Sequence, residues 1–105
     1  TYDEYALAGL SVLDYIRTTS ANATAHNGHF STLEIGIGEG RAVLELQHQV
    51  PDSVVVGINK PMPNYQWGTS IVQSAGDLRR SAALYGIPVS GQHFPEVLLS
   101  NATDK

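Results

Sequence analysis

The residues of this chain best suited to chemistry stand together at positions 33–40, Leu33-Glu34-Ile35-Gly36-Ile37-Gly38-Glu39-Gly40, an apolar run with one acid that opens into three glycines at alternate positions. Glycines spaced two apart serve neither a helix nor a strand, because each costs backbone entropy. They point to positive φ angles or to a backbone that something must approach closely, and that something is expected to be a ligand. A dinucleotide turn has the spacing Gly-x-Gly-x-x-Gly and aims a helix amino terminus at a diphosphate. Here the spacing is Gly36-x-Gly38-x-Gly40, and the carboxylate of Glu39 inside the turn disfavours a phosphate neighbour.

Other chemistry is thinly provided. There are no cysteines, which removes disulfides, thiolate catalysis and cysteine metal sites. His26, His29, His48 and His93 are scattered, and only His26-x-x-His29 has a loose metal spacing, with no cysteine or acid to complete it. Surface histidines and no metal are therefore expected. The net charge is -4 and no run of Lys or Arg occurs, so the electrostatic footprint of a nucleic-acid binder is missing. Arg79-Arg80 is expected to be the solvated face of a helix, with Asp77 a local partner of small worth.

The elements that must position the glycine turn follow from periodicity. The length of 105 residues and the 42% hydrophobic content fit one domain with a modest core. An amphipathic helix is expected over residues 2–17, with Tyr2, Tyr5, Leu10, Leu13 and Ile16 on one side, followed by a polar connection over 18–28 that ends in the turn signal Asn27-Gly28. Residues 30–35 form the first expected strand, and the glycines lead into a helix over 41–49. The β-branched run Val54-Val55-Val56-Gly57-Ile58 fits a second strand buried on both faces of a parallel sheet. A second helix is expected over 69–84, closed by Tyr85-Gly86-Ile87-Pro88, and a third strand over 97–99.

With right-handed crossovers, β-α-β-α-β gives a three-strand parallel sheet in the order 3-2-1, an α/β fold with three Rossmann-like layers. Residues 1–29 form a leading helix and linker, and residues 30–105 form the βαβαβ core of a single partial doubly wound domain. In this arrangement strand 1, expected to be central, is left with an open edge, through which a homodimer is conceivable. No apolar run approaches the ~20 residues that span a bilayer, and no charged-then-apolar leader opens the chain. No membrane partner is expected, and the cytoplasm is the expected compartment. The start at Thr1 and the single methionine, Met62, give both ends the look of cuts, as in a truncated domain.

The segment 33–40, together with Val56-Gly57-Ile58-Asn59 at the end of the second strand and Leu98-Leu99-Ser100-Asn101-Ala102 after the third, resembles the amino-terminal half of class I S-adenosylmethionine-dependent methyltransferases. The likeness spans roughly residues 33–104, and its specific part is the acid-Gly-x-Gly-x-Gly segment. It implies S-adenosylmethionine as cofactor and methyl transfer as the reaction. It places the family's acid of this segment at Glu34, and its glycine turn, which lies against the methionyl part and sugar of the cofactor, at Gly36, Gly38 and Gly40. It places Asn59 where the family has an acid that accepts from the ribose hydroxyls, and Asn101 where an acid meets the adenine amino group, with the backbone amide of Ala102 nearby. Tyr2 or Tyr5 would help close the site, and Tyr65 and Trp67 would pack over the sheet edge or stack on adenine.

The family's acceptor pocket and general base follow a fourth strand, so no catalytic residue is assigned. A small-molecule acceptor is placed slightly ahead of RNA. Two alternatives stand beside this expectation. One is a non-catalytic methyltransferase-like interaction domain, which two amides in place of acids would suit. The other is a nucleotide-dependent oxidoreductase fragment, which the glycine spacing disfavours.

Overall fold

A computed structural model of the chain describes residues 6–7, 10–28, 30–62, 71–89 and 93–100. Two short antiparallel strands come first, β1 (Ala6–Leu7) and β2 (Leu10–Ser11), followed by helix α1 (Val12–Ala25). The leading helix therefore starts later than the expected residue 2 and runs on through most of the segment expected to be a connection. Ser11 sets its start: the backbone there is extended, and the hydroxyl accepts from the Asp14 N–H at 3.3 Å, an N-cap that also puts an acid in the first turn. The polar residues that follow are absorbed within the helix. Thr19 and Thr24 donate their hydroxyls to the carbonyls of Tyr15 and Ser20, at 2.8 and 3.0 Å. Asn27, at φ 60, and the Gly28 N–H, which reaches the Ala23 carbonyl at 2.7 Å, end the helix where the turn signal stood.

The rest is β3 (Ser31–Ile35), α2 (Arg41–Gln49), β4 (Val54–Asn59), α3 (Ala75–Tyr85) and β5 (Glu96–Leu99), with β3 and β5 both parallel to β4. The sheet order is β3-β4-β5, which is 1-2-3 in chain order rather than 3-2-1. A sheet can be read from either edge, so the neighbours are the same. Among the described residues the middle strand is β4, and β3, which carries the glycine turn, stands at an edge of the sheet.

Register and burial define the layers. Thr32, Glu34, Val55, Gly57, Asn59 and Val97 point to one face, and α2 packs against β4 and α3 on that side. Leu13 and Ile16 of α1 join Val43, Leu46, Val55, Leu78 and Ala82 in one core. On the other face Leu33, Ile35 and Leu98 are 58%, 64% and 43% exposed. Burial along β4 alternates accordingly, so this strand is not buried on both faces as its continuous apolar run suggested. Among the described residues the third layer is absent: helices cover one face of the sheet and the other is open.

Helix α3 also starts later than expected. Ile71 and Val72, inside the expected range of 69–84, precede it, because Ser74 is extended and its hydroxyl accepts from the Asp77 N–H at 3.2 Å. Gly86, left-handed at φ 67, closes the helix as the Gly86-x-Pro88 signal required. Among the described residues no helix is long and apolar enough to cross a membrane.

Candidate functional site

At the carboxyl end of β3 the chain leaves the sheet through the glycine turn and enters α2, and all three glycines take left-handed backbone angles, with φ 80 at Gly36, 55 at Gly38 and 84 at Gly40. Any other L-residue would be strained at each position. The surroundings of the three differ. A Cβ on Gly40 would lie 2.3 Å from Leu78 Cδ1, so this glycine lets the start of α2 press on α3. Among the described residues a Cβ on Gly36 or Gly38 would meet nothing within 4 Å, so toward these residues the two present bare backbone.

The turn is held from below by the strand it crosses. The N–H groups of Gly36 and Ile37 both donate to the Ile58 carbonyl, at 2.7 and 3.2 Å, and the Gly40 N–H donates to the Ile37 carbonyl at 2.8 Å. The buried Ile37 side chain lies on Gly57, where an added Cβ would be 2.7 and 2.8 Å from its methyl carbons. Sequence reasoning missed this contact, although a lone glycine inside an apolar strand is the signal for such a close approach.

Asn59 is only 4% exposed, and its carboxamide is spent on the turn. Its Oδ1 accepts from the Gly38 N–H at 2.9 Å, while its Nδ2 donates to the Gly38 carbonyl at 3.0 Å and to the Val72 carbonyl at 2.8 Å. The Val72 N–H in turn donates to the Gly38 carbonyl at 2.9 Å. The resemblance places Asn59 at the ribose; in this structure its Oδ1, the atom that would accept from a ribose hydroxyl, accepts from the Gly38 N–H, and both amide protons go to protein carbonyls. Glu34, half-buried, lies on the same sheet face as Gly57 and Asn59.

Two further ties frame the site. Gln73 bridges the exit of β4 to the start of α3: its Oε1 accepts from the Met62 N–H at 2.9 Å and its Nε2 donates to the Lys60 carbonyl at 3.1 Å. Asp77, expected to be a minor surface partner, is instead buried, accepts from the Gln73 N–H at 2.9 Å and pairs with Arg80, while Arg79 stacks on Phe94 at 4.2 Å. On the outer side, the Tyr85 hydroxyl donates to Glu39, and the Arg41 guanidinium sits 5.3 Å from the centre of the Tyr85 ring. The hydrogen bond to Glu39, some burial and the Glu39 charge hold the Tyr85 hydroxyl above the usual tyrosine pKa, with Arg41 opposing them. Glu39 is thereby turned toward α3.

Glu34, Gly36, Gly38, Gly40 and Asn59 thus converge on one sheet end, whereas Asn101 and Ala102 lie outside the described residues, as do Tyr2, Tyr5, Tyr65 and Trp67. His29 lies outside them too, and among the described residues no group of three or more His, Cys, Asp or Glu side chains is placed to hold a metal. The two bare glycines fit a cofactor that approaches the backbone closely. Asn59 Oδ1 already accepts from the Gly38 N–H, which leaves a ribose hydroxyl one lone pair on a buried atom. No protein-family model matches this chain, and neither does any curated protein or solved structure.

Proposed function

We propose that this chain is the cofactor-binding portion of an S-adenosylmethionine-dependent methyltransferase, acting on a small-molecule acceptor ahead of RNA. The observation that carries the proposal is the run of three alternate glycines, all at positive φ, at the carboxyl end of a parallel strand, two of them with no described residue where a side chain would be. That is the end of an α/β sheet where ligands bind. Gly36 and Gly38 supply the bare surface for the methionyl part and sugar, Gly40 holds the turn against α3, and Glu34 stands two residues before the first glycine on the sheet face of Gly57 and Asn59. Asn101 and Ala102 belong to the proposal through the resemblance alone.

When bound, the cofactor supplies an already activated sulfonium methyl, so what is asked of the protein is position and exclusion of water, and proximity of this kind is worth roughly 7–11 kcal/mol. Calorimetric titration with S-adenosylhomocysteine tests the proposal. Micromolar binding with an upward thermal shift is expected, and no heat with no shift overturns it.

A second reading, a non-catalytic interaction domain, is favoured by one observation: among the described residues β3 stands at an edge of the sheet and its outward residues Leu33 and Ile35 are exposed. A second copy pairing β3 to β3 would remove that edge. Light scattering on the purified protein decides this: a dimer that Ile35→Lys dissociates supports it, and a monomer at all concentrations rejects it. The nucleotide-dependent oxidoreductase gains little from the glycines, since the N–H groups of Gly36, Ile37, Gly38 and Gly40 are already bonded within the protein and a diphosphate would be left with the first-turn N–H groups of α2.

A further inference from the structure

We propose that Asn59 is the positioning residue of the glycine turn and sets its ligand class, closing the glycine amides to anions by taking the Gly38 N–H for itself. Backbone N–H groups in left-handed turns next to a helix start form anion-binding concavities only when they are free to point at the ligand. In this turn the N–H groups of Gly36 and Ile37 go to the Ile58 carbonyl, that of Gly40 goes to the Ile37 carbonyl, and that of Gly38 goes to Asn59 Oδ1. Among the described residues the donors left without an acceptor here are the Glu39 N–H and the first-turn N–H groups of α2, so it is the glycine amides that are closed.

Of these bonds only the Gly38 one is made by a side chain, so residue 59 is where the donor inventory of the turn is decided. The same carboxamide donates to the carbonyls of Gly38 and Val72, which fixes the Gly38 peptide plane on both edges and ties it to the segment entering α3. A turn built in this way offers a phosphate none of its glycine N–H groups, which disfavours phosphate and diphosphate on the glycines and leaves that surface to ligands that do not need those donors. The inference rests on the proposed cofactor site only for the identity of the ligand that is accepted; the clamp and the closure of the glycine amides are tested without that ligand.

The test is an amide NMR experiment on the whole chain. In the wild-type protein the Gly38 amide is expected to show a hydrogen-exchange protection factor of at least about 100, against a value near one for Glu39, and both Asn59 side-chain protons are expected to exchange slowly. Pyrophosphate and ADP, titrated to millimolar levels, are expected to leave the amide shifts of Gly36, Gly38 and Gly40 in place. An unprotected Gly38 amide, or a saturable shift of these three amides with pyrophosphate, overturns the proposal using wild-type protein alone.

Two variants separate positioning from mere stability. Asn59→Asp keeps an acceptor for the Gly38 N–H, and its Gly38 amide proton is expected to retain its low-field shift. Asn59→Ala is expected to lose it. Equal Gly38 shifts in the two variants overturn the clamp, whatever their stabilities. Failure of S-adenosylhomocysteine to bind, with the clamp signals intact, would overturn the methyltransferase proposal and leave this one standing.

Discussion

Replacing Asn59 by Asp distinguishes the two roles this position can have. If residue 59 served a ribose, the acid would strengthen cofactor binding, since charge-assisted hydrogen bonds are about twice as strong as neutral ones. In the geometry found here the same change turns one carboxylate oxygen toward the carbonyls of Gly38 and Val72, 3.0 and 2.8 Å from the donor it replaces. Two hydrogen bonds are lost at about 1 kcal/mol each, and Val72, which is buried, keeps a carbonyl without that donor at a further ~1–3 kcal/mol. A stronger bond from the Gly38 N–H returns about 1 kcal/mol. The net cost is about 2–4 kcal/mol at neutral pH, which for a domain of this size lowers Tm by roughly 10–25 °C.

The cost also has a pH dependence of known sign. A carboxyl facing two carbonyls at this degree of burial prefers to be protonated, so its folded pKa lies above the ordinary aspartate value of about 3.9. The protonated form can donate one of the lost bonds. The deficit relative to wild type is therefore smallest near pH 4 and grows as pH rises through the folded pKa. Thermal unfolding of both proteins from pH 4 to 8, with S-adenosylhomocysteine titrations at the upper end, provides the measurement. A variant as stable as wild type at pH 8, or one that binds the cofactor product more tightly, would refute the clamp geometry.

Other perturbations sort the three glycines and their neighbours. Gly40→Ala combines a strained φ with a clash against Leu78 and is expected to cost about 2–4 kcal/mol in denaturant unfolding. Among the described residues Gly36→Ala meets no neighbour, so only the strain of roughly 1–2 kcal/mol applies, while S-adenosylhomocysteine affinity should fall at least tenfold if the backbone there is the cofactor's contact. Leu46→Ala, at a fully buried position of α2, should lose about 2–5 kcal/mol. The Tyr85 hydroxyl, held above its ordinary pKa by Glu39, should be among the last tyrosines to ionise in an alkaline absorbance titration. Its contribution is present below that ordinary value and lost as pH rises through the raised one, and Tyr85→Phe should abolish the difference.

The parts of this fold legible in the sequence are those set by local rules. Helix α2 and strand β4 lie where periodicity and the β-branched run put them, and the positive φ of the turn glycines follows from glycine's freedom alone. What misled was patterning without its caps. Tyr2 through Ile16 has helical spacing, yet β1 and β2 occupy part of it and the Ser11 cap starts the helix at Val12. Ile71 likewise has helical spacing with Leu78, but Ser74 starts α3 after it. The apolar run of β4 suggested cover on both faces, whereas the described helices all lie on one. An apolar run states that a strand can be buried, and only the number of helices available decides on how many sides.

The role of Asn59 was out of reach for a different reason: it depends on three backbone groups brought together from distant positions. The end of β4, the turn after β3 and the stretch entering α3 meet at one point, where they present one donor, the Gly38 N–H, and two acceptors, the carbonyls of Gly38 and Val72. A single short side chain that serves all three must accept at one end and donate twice at the other. Among residues of this size only asparagine has that inventory, because aspartate cannot donate when ionised and serine has a single proton. An amide at this strand end, where the methyltransferase likeness leads one to expect an acid, is therefore what this turn itself requires.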